Sequence, residues 1–264
     1  MYSLTILIQG YPGKSDHGGL GWSTVALIRS RKDNVLVDTG HYTHRELVVR
    51  RLDELGVGRE GVTAVALTHC HWDHCANFAL FPKAQIFVGA AELEWAAAQP
   101  VGKYPLAEFH VEKLAGAKNV TRLRDGEEFL PGLSALATPG HTPGHMGYVA
   151  RGERGDLIFT GDAIKNAAEL VSQRVDMTLD LSKSLAAIRR VRELAAASEE
   201  NRIIFGHDRL VSFDGEHVRE HEPLRFVLTA RLGEDFDALT EFDLGVPWTT
   251  PGVPRTTPAP RVHA

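Results

Sequence analysis

The sequence has very little cysteine, with only Cys70 and Cys75 among its 264 residues. The two cysteines lie five positions apart and form no C-x-x-C pair, so they exclude a framework of disulfide bonds. Such sparse cysteine is typical of proteins in a reducing, intracellular environment.

Long apolar runs are also absent. No segment reaches the roughly 18 uncharged apolar residues that a membrane-spanning helix needs. The opening residues, MYSLTILIQGYPGK, lack the basic segment, long apolar run and small-residue cleavage site of a secretory leader. We therefore expect a cytoplasmic protein that does not bind membranes.

The sequence has no excess of basic residues, since its formal net charge is −5. Proteins that bind nucleic acid along its phosphates usually carry a basic patch or stripe, so we expect no nucleic-acid partner. With 43% hydrophobic and 24% charged residues, the composition is that of an ordinary globular protein. The length is sufficient for one large α/β domain or two small ones.

Apolar segments rich in β-branched residues alternate with amphipathic segments along most of the chain. Short apolar runs predict strands at 3–9, 23–29, 34–40, 62–68, 85–89, 132–140, 146–152, 156–162 and 202–208. Apolar residues at helical spacing predict helices at about 43–55, 90–99 and 180–198. This alternation predicts an α/β fold in which helices cover sheets.

Two segments give weaker signals. Residues 100–125 show no clear pattern, and we expect insertions over the functional site there. Residues 245–264 are rich in proline and threonine, which predicts a tail without regular structure. We therefore expect a single domain over 1–244 followed by this tail.

The strongest chemical signal is THCHWDHC at 68–75, directly after a predicted buried strand. His69 and His71 are two apart, so an extended backbone directs both toward the same side. A turn after them can direct Asp73 and His74 toward a second position. Four potential ligands in six residues beside an apolar strand are costly unless something satisfies them, which favours a metal site.

Three later strands end in a similar pattern of glycine followed by a potential ligand. The segments TPGH, FTGD and IIFGH present His141, Asp162 and His207. Glycine before each ligand allows a sharp turn without a Cβ clash. Added to the cluster at 69–74, these strand ends favour an open two-metal centre.

These motifs, in this order and spacing over about 5–210, resemble the metallo-β-lactamase superfamily, with its HxHxDH signature and the VDTG at 37–40. The resemblance implies an αββα sandwich of two mixed sheets with helices on the outer faces. It also implies the metal ligands: His69, His71 and His141 for one ion, Asp73, His74 and His207 for the other, and Asp162 bridging them.

The resemblance implies a hydrolase with two divalent ions, zinc by preference and iron or manganese as alternatives. Such ions share a water and convert it into a hydroxide nucleophile. Asp73 and Asp162 would orient this nucleophile and transfer its proton as the catalytic residues. TPGHTPGH followed by GDA and FGHD resembles most the branch of N-acyl-homoserine lactonases, which indicates a lactone or a related small ester or cyclic amide. Those enzymes often carry a tyrosine soon after the bridging aspartate, whereas here the sequence reads GDAIKNAAEL.

Other activities of the superfamily remain open. They are a glyoxalase II-like thioesterase, a phosphodiesterase or nuclease, and a branch related to an animal protein linked to RNA processing. A persulfide dioxygenase would instead hold one iron, through His69, His141 and Asp162. A small-molecule substrate is expected in most of these cases, and a homodimer is possible.

Further residues receive supporting roles or none. Asp38 in VDTG is expected to orient a ligand histidine, and His145 to support the loop that carries His141. Cys70 and Cys75 are expected to pack in the core. Possible contacts with substrate are the apolar Trp22, Trp72 and Phe78 and the polar Lys165, Asn166 and Arg174. The remaining histidines are predicted to be surface or loop residues: His17, His41, His44, His110, His217 and His221.

Overall fold

The computed structural model describes residues 1–223 and 226–244, together with the backbone of 261–262. The first half of the chain contains, in order, β1 (Ser3–Ile8), β2 (Lys14–Ser15), β3 (Gly18–Gly19), β4 (Val25–Arg29), β5 (Asn34–Val37), α1 (Arg45–Glu54), β6 (Ala64–Leu67), α2 (Trp72–Cys75), β7 (Gln85–Gly89), α3 (Ala90–Ala97), α4 (Glu108–Gly116) and β8 (Val120–Leu123). Short 3-10 turns lie at Tyr42–His44, Arg59–Gly61 and Phe78–Leu80.

The second half contains β9 (Glu128–Leu130), β10 (Leu133–Ala137), β11 (Met146–Arg151), β12 (Asp156–Gly161), α5 (Ala167–Ser172), α6 (Leu181–Ala196), β13 (Arg202–Phe205), β14 (Val211–Phe213), β15 (Val218–Glu220), β16 (Val227–Ala230), β17 (Thr240–Asp243) and β18 (Arg261–Val262). Helices α5 and α6 begin at capping residues, since the side chains of Asn166 and Asp180 accept hydrogen bonds from main-chain amides of the first turn.

These strands form two large mixed sheets. The first has the order β1-β4-β5-β6-β7-β8, and the second has the order β15-β14-β13-β12-β11-β10-β9. Strands β5 to β8 run parallel to one another, as do β12 and β13, and the other neighbours in both sheets are antiparallel. The parallel strands β5, β6 and β7 are almost entirely apolar and buried because both of their faces are covered, whereas β8, at the edge, has the sequence VTRL.

Three apolar clusters define the layers. One lies between the sheets and contains inward-facing residues of both, such as Ala66, Phe87 and Tyr148. A second packs α1, α3 and α4 on the outer face of the first sheet, and a third packs α5 and α6 on the outer face of the second. The fold is therefore an αββα sandwich, as the resemblance implies.

The predicted strands and helices are present, but several strands are shorter than predicted. The segment predicted at 34–40, for example, leaves the sheet after Val37, because Asp38 adopts a left-handed backbone with φ of 56°. The stretch at 100–125, predicted to hold insertions, contains the regular elements α4 and β8.

Beyond the sandwich, β16, β17 and β18 form a small antiparallel sheet. The ring of Phe226, just before β16, packs against Tyr11 and Trp22, which joins this segment to the body of the chain. Most of the tail at 245–264 lies outside the described residues, and the prediction that it lacks regular structure is wrong for Arg261–Val262. None of the described helices is long and apolar enough to cross a membrane.

Candidate metal centre

The seven predicted ligand side chains lie together at one edge of the sandwich. His69 and His71 follow β6, and α2 continues with Asp73 and His74. The remaining three follow strands of the second sheet: His141 after β10, Asp162 after β12 and His207 after β13. The ends of both sheets thus bring together side chains that are up to 138 positions apart in the sequence.

At two of these strand ends a residue without a side chain is required, because a Cβ atom would clash with a neighbouring residue. A Cβ at Gly161, where φ is 48°, would lie 2.7 Å from His145 Nε2, and a Cβ at Gly206 would lie 2.5 Å from Asp162 Oδ1. The glycines therefore allow the ligand-bearing segments to approach each other as well as to turn.

Three histidines form the first cluster. Ligand atoms of His69, His71 and His141 all lie within 4.8 Å of one another. His141 Nε2 lies 3.0 Å from His71 Nδ1, and His141 Nδ1 donates to the carbonyl oxygen of Met177 at 2.8 Å. This second bond directs the lone pair on Nε2 of His141 into the cluster.

The second cluster combines a carboxylate with two histidines. Ligand atoms of Asp73, His74 and His207 also lie within 4.8 Å of one another. Asp73 Oδ2 is 3.5 Å from His207 Nε2 and 3.6 Å from His74 Nε2. Both predicted ligand sets are thus brought together, and they adjoin each other, because ligand atoms of His69, His74 and Asp162 also lie within 4.8 Å of one another.

Asp162 lies between the clusters with one oxygen toward each. Its Oδ1 is 3.1 Å from His207 Nε2 and 3.2 Å from His74 Nε2, whereas its Oδ2 is 3.4 Å from His141 Nε2. This is the arrangement that a bridging ligand requires.

Buried polar atoms without partners indicate that these residues fit metal ions. Among the described residues, His69 Nε2, His74 Nε2 and Asp162 Oδ1 are buried and make no hydrogen bond. Leaving such atoms unsatisfied is costly, and imidazole nitrogens with carboxylate oxygens are the ligands that zinc accepts in open sites. Seven donors in two groups fit two divalent cations, and metal binding by these residues stays a prediction.

The electrostatics of the cluster agree with this fit. Burial lowers the pKa of His69 and His71 well below the usual range, so both imidazoles are neutral with a lone pair available. Burial opposes charge on His74 too, but the carboxylates of Asp73 and Asp162 outweigh it and raise the pKa of His74. A divalent cation would replace that proton on binding.

A cavity of about 190 Å³ opens onto both clusters. Of the predicted contacts with substrate, Trp72, Lys165 and Asn166 line it. The other three do not. Trp22 packs against Tyr11 and His44, Phe78 is buried in the core, and Arg174 is exposed.

The model of the metallo-beta-lactamase superfamily matches residues 18–207, which include all seven side chains. The chain belongs to this superfamily. Among its relatives is an N-acyl homoserine lactonase from a Bacillus species, 30% identical over 167 residues that cover 63% of this chain. The match spans 64% of the length of that relative.

Solved structures of the superfamily share the fold of this chain. A variant of the AiiA protein of Bacillus thuringiensis, with N-decanoyl-L-homoserine at its active site, superposes with a TM-score of 0.63. It is 22% identical, and the match covers 78% of this chain and 92% of that one. AidC, a dizinc quorum-quenching lactonase, gives a TM-score of 0.58 at 18% identity over 72% of this chain and 74% of its own.

Asp38 orients one candidate ligand of each cluster in this member of the superfamily. Its Oδ2 accepts from His74 Nδ1 at 2.8 Å and from Thr68 Oγ1 at 2.8 Å, while Oδ1 accepts from the Thr68 amide. Because the Thr68 hydroxyl donates to Asp38, it accepts from His69 Nδ1 at 3.0 Å. One carboxylate therefore fixes the tautomers of His74 directly and of His69 through Thr68.

His145 supports both the loop that carries His141, as predicted, and Asp162, which was not predicted. Its Nε2 accepts from the Asp162 amide at 3.0 Å, and its Nδ1 donates to Thr138 Oγ1 at 2.8 Å. Both ring nitrogens are therefore engaged, and neither is available for a metal ion.

Sequence reasoning missed three further residues around the ligands: Thr68, Met177 and Glu92. The buried carboxylate of Glu92 accepts from the amide of Cys70 and the hydroxyl of Thr142. Burial raises its pKa to about 7. A threonine directly before the first histidine was a usable signal for Thr68, whereas Met177 acts only through its carbonyl oxygen and leaves no sequence signal.

The predictions for the cysteines and for the remaining histidines are partly confirmed and partly wrong. Cys70 and Cys75 are unpaired and buried in the core, as expected. The prediction that His44 is a surface or loop residue is wrong, because His44 is buried against Trp22. His17 and His217 are exposed, while His41, His110 and His221 are half-buried.

Replacing His145 by glutamine should remove a pH-dependent part of the stability of the metal-free protein. Burial holds the pKa of His145 well below its usual value, so below about pH 6.5 only the unfolded chain gains this proton. The wild-type free energy of unfolding should therefore fall relative to that of H145Q by about 1.4 kcal/mol from pH 7.5 to 5.5. Urea unfolding of chelator-treated protein measures this difference. The exposed H17Q is the control, and a pH-independent difference for H145Q would contradict a buried, neutral His145.

Proposed function

We propose that this chain is a metal-dependent hydrolase that opens a lactone or a related small ester or cyclic amide. The observation that carries the proposal is Asp162, whose two oxygens face two separate ligand groups at the base of one cavity. The similarity to an N-acyl homoserine lactonase supports a carbonyl substrate of this class.

The metal ions, for which we propose zinc, would be held by the two clusters described above. His69, His71 and His141 would bind one ion, Asp73, His74 and His207 the other, with Asp162 as the shared ligand. When bound, such a pair polarises the substrate carbonyl and lowers the pKa of a water toward neutrality. The dizinc lactonase among the structural neighbours supports this choice of metal.

One carboxylate of the site would transfer the proton of the reaction, and the other would support it. Asp73 lines the cavity and would accept the proton that a water loses as it attacks the carbonyl carbon. When the ring C–O bond breaks, the same proton passes to the leaving alkoxide oxygen. Asp162, held through its amide by His145, keeps the site in position during this transfer.

Lys165 is the residue that we propose to orient the substrate. Its Nζ is shielded from solvent, makes no hydrogen bond among the described residues, and lies 3.1 Å from Glu169 Oε1. Glu169 is itself fixed by the amides of Lys165 and Asp176. The Lys165 side chain lines the cavity. Its ammonium group can therefore donate to a carbonyl or carboxylate oxygen of a substrate.

The class of partner and the cellular location are proposed from the composition of the chain. A net charge of −5 favours a small-molecule substrate over nucleic acid, and two buried free cysteines fit a cytoplasmic enzyme. A single domain over 1–244 and a homodimer stay predictions.

A panel of substrates tests the proposed activity. Zinc-loaded protein should be assayed with N-acyl homoserine lactones, γ-butyrolactone, S-lactoylglutathione, bis-p-nitrophenyl phosphate and nitrocefin. We expect the highest kcat/KM for a lactone, by at least about tenfold, because the site must discriminate between the leaving groups of its substrates. The H69A variant serves as the negative control.

The same preparation distinguishes the competing activities. Metal analysis should find two zinc ions per chain. A highest kcat/KM for the thioester or the phosphodiester would overturn the lactonase proposal, as would one iron per chain with oxygen uptake on a persulfide substrate.

A further inference from the structure

Glu92 is a fully buried carboxylate near the metal centre with no assigned role in hydrolysis. It is the third residue of α3, on the outer side of the first sheet, and its exposed fraction is 0%. Among the described residues no cationic side chain forms an ion pair with it. A buried carboxylate without a cation depends on hydrogen-bond donors, and its donors reveal what it holds.

All of these donors come from the two loops that carry the histidines of the first cluster, His69, His71 and His141. Oε1 accepts from the amide of Cys70 at 3.0 Å, and Oε2 accepts from the hydroxyl of Thr142 at 2.6 Å. The amide of Gly144 is a third donor. Cys70 lies between His69 and His71, and Thr142 directly follows His141.

The two loops belong to different sheets of the sandwich. The loop of Cys70 follows β6 of the first sheet, and the loop of Thr142 connects β10 to β11 of the second. The loop of Thr142 also packs directly against α3, since a Cβ at Gly144 would lie 1.9 Å from the Glu92 amide nitrogen. The carboxylate of Glu92 therefore spans the junction between the sheets at the first cluster.

We propose that Glu92 is a positioning residue that sets the distance between the His69–His71 loop and His141, and thereby the geometry of the first metal cluster. This role rests on the metal centre of the proposed function but not on its substrate. A carboxylate suits it because both oxygens face only donors. A glutamine keeps one acceptor oxygen and presents an amide nitrogen to the other donor.

Cobalt(II) binding to the metal-free protein tests this role. We compare wild type with E92A and E92Q, and with E94Q, which changes an exposed glutamate two positions along the same helix. We expect E92A to weaken binding of the first ion by about tenfold and to alter the visible absorption of bound cobalt, because outer partners of metal ligands tune their geometry. E92Q should lie between E92A and wild type, and E94Q should match wild type.

Thr142 provides a second test if E92A does not fold. T142V removes only the hydroxyl donor to Glu92, and T142S restores it. T142V should shift cobalt affinity and absorption in the same direction as E92A, and T142S should not. A folded E92A or T142V with the wild-type spectrum and affinity would overturn the proposal.

The cobalt experiment tests the role of Glu92 independently of the proposed substrate. If the wild type binds no cobalt, the metal centre fails and the role of Glu92 fails with it. If the wild type binds cobalt, the spectra of the variants decide the role of Glu92, whichever panel substrate is hydrolysed.

Discussion

Replacing Asp162 by asparagine should reduce kcat/KM on the best substrate of the panel by about 10³-fold, equivalent to about 4 kcal/mol of transition-state stabilisation. Each oxygen of Asp162 faces a different ligand group, and asparagine has only one oxygen. Its amide nitrogen has no lone pair for a metal ion, so one group loses a ligand in either orientation. The negative charge that favours two neighbouring cations is lost as well.

Metal content should fall together with activity in this variant. Elemental analysis after dialysis should give about one ion per chain in place of two, since only one ligand group keeps its full set. D214N, an equivalent change in an exposed turn, is the matched control. Wild-type metal content and turnover in D162N would refute the bridging role.

The candidate ligands could be predicted from the sequence because each follows a recognisable strand. THCHWDHC comes directly after the apolar run of β6, and glycine precedes Asp162 and His207 at the ends of β12 and β13. A strand fixes where its end lies, so side chains directly after it are confined to the sheet edge. Their convergence then follows from the packing of two sheets.

The residues that support the ligands could not be predicted in the same way. Glu92 and Glu94 lie on one short helix, and the alanine-rich sequence AAELEWAA has no apolar stripe that marks which glutamate faces inward. The loop of Cys70 and the loop at 138–145, which come from different sheets, together make Glu92 the buried one.

The segment at 100–125 was unreadable for a related reason. In α4 only Val111 and Leu114 are buried, so its pattern is too sparse to predict a helix. Its approach to the site depends on main-chain contacts, because the amide of Trp72 donates to the carbonyl oxygen of Pro105 at 3.0 Å. Pro105 also lines the cavity, so the expectation that this segment covers the site agrees with the structure at that residue.

Replacing Asp38 by asparagine should weaken metal binding by about 100-fold, the upper end for residues that orient metal ligands. Asparagine tolerates the left-handed backbone at this position, so the change tests the side chain alone. If its amide nitrogen faces His74 Nδ1, the proton of His74 must move to Nε2, the atom that faces Asp162. If the amide turns over, the nitrogen faces the donating amide of Thr68.

The second orientation leaves a donor against a donor in a buried site, whereas the first removes the lone pair that His74 needs as a ligand. Competition with a chromophoric zinc chelator measures the affinity, and kcat/KM in excess zinc shows whether metal restores activity. D125N is the control, because Asp125 also accepts a main-chain amide but lies on the surface after β8. T68S should retain wild-type affinity and T68V should lose part of it, since only the serine keeps the hydroxyl between Asp38 and His69. Zinc affinity in D38N equal to that of D125N would show that His74 keeps its ligating tautomer without this carboxylate.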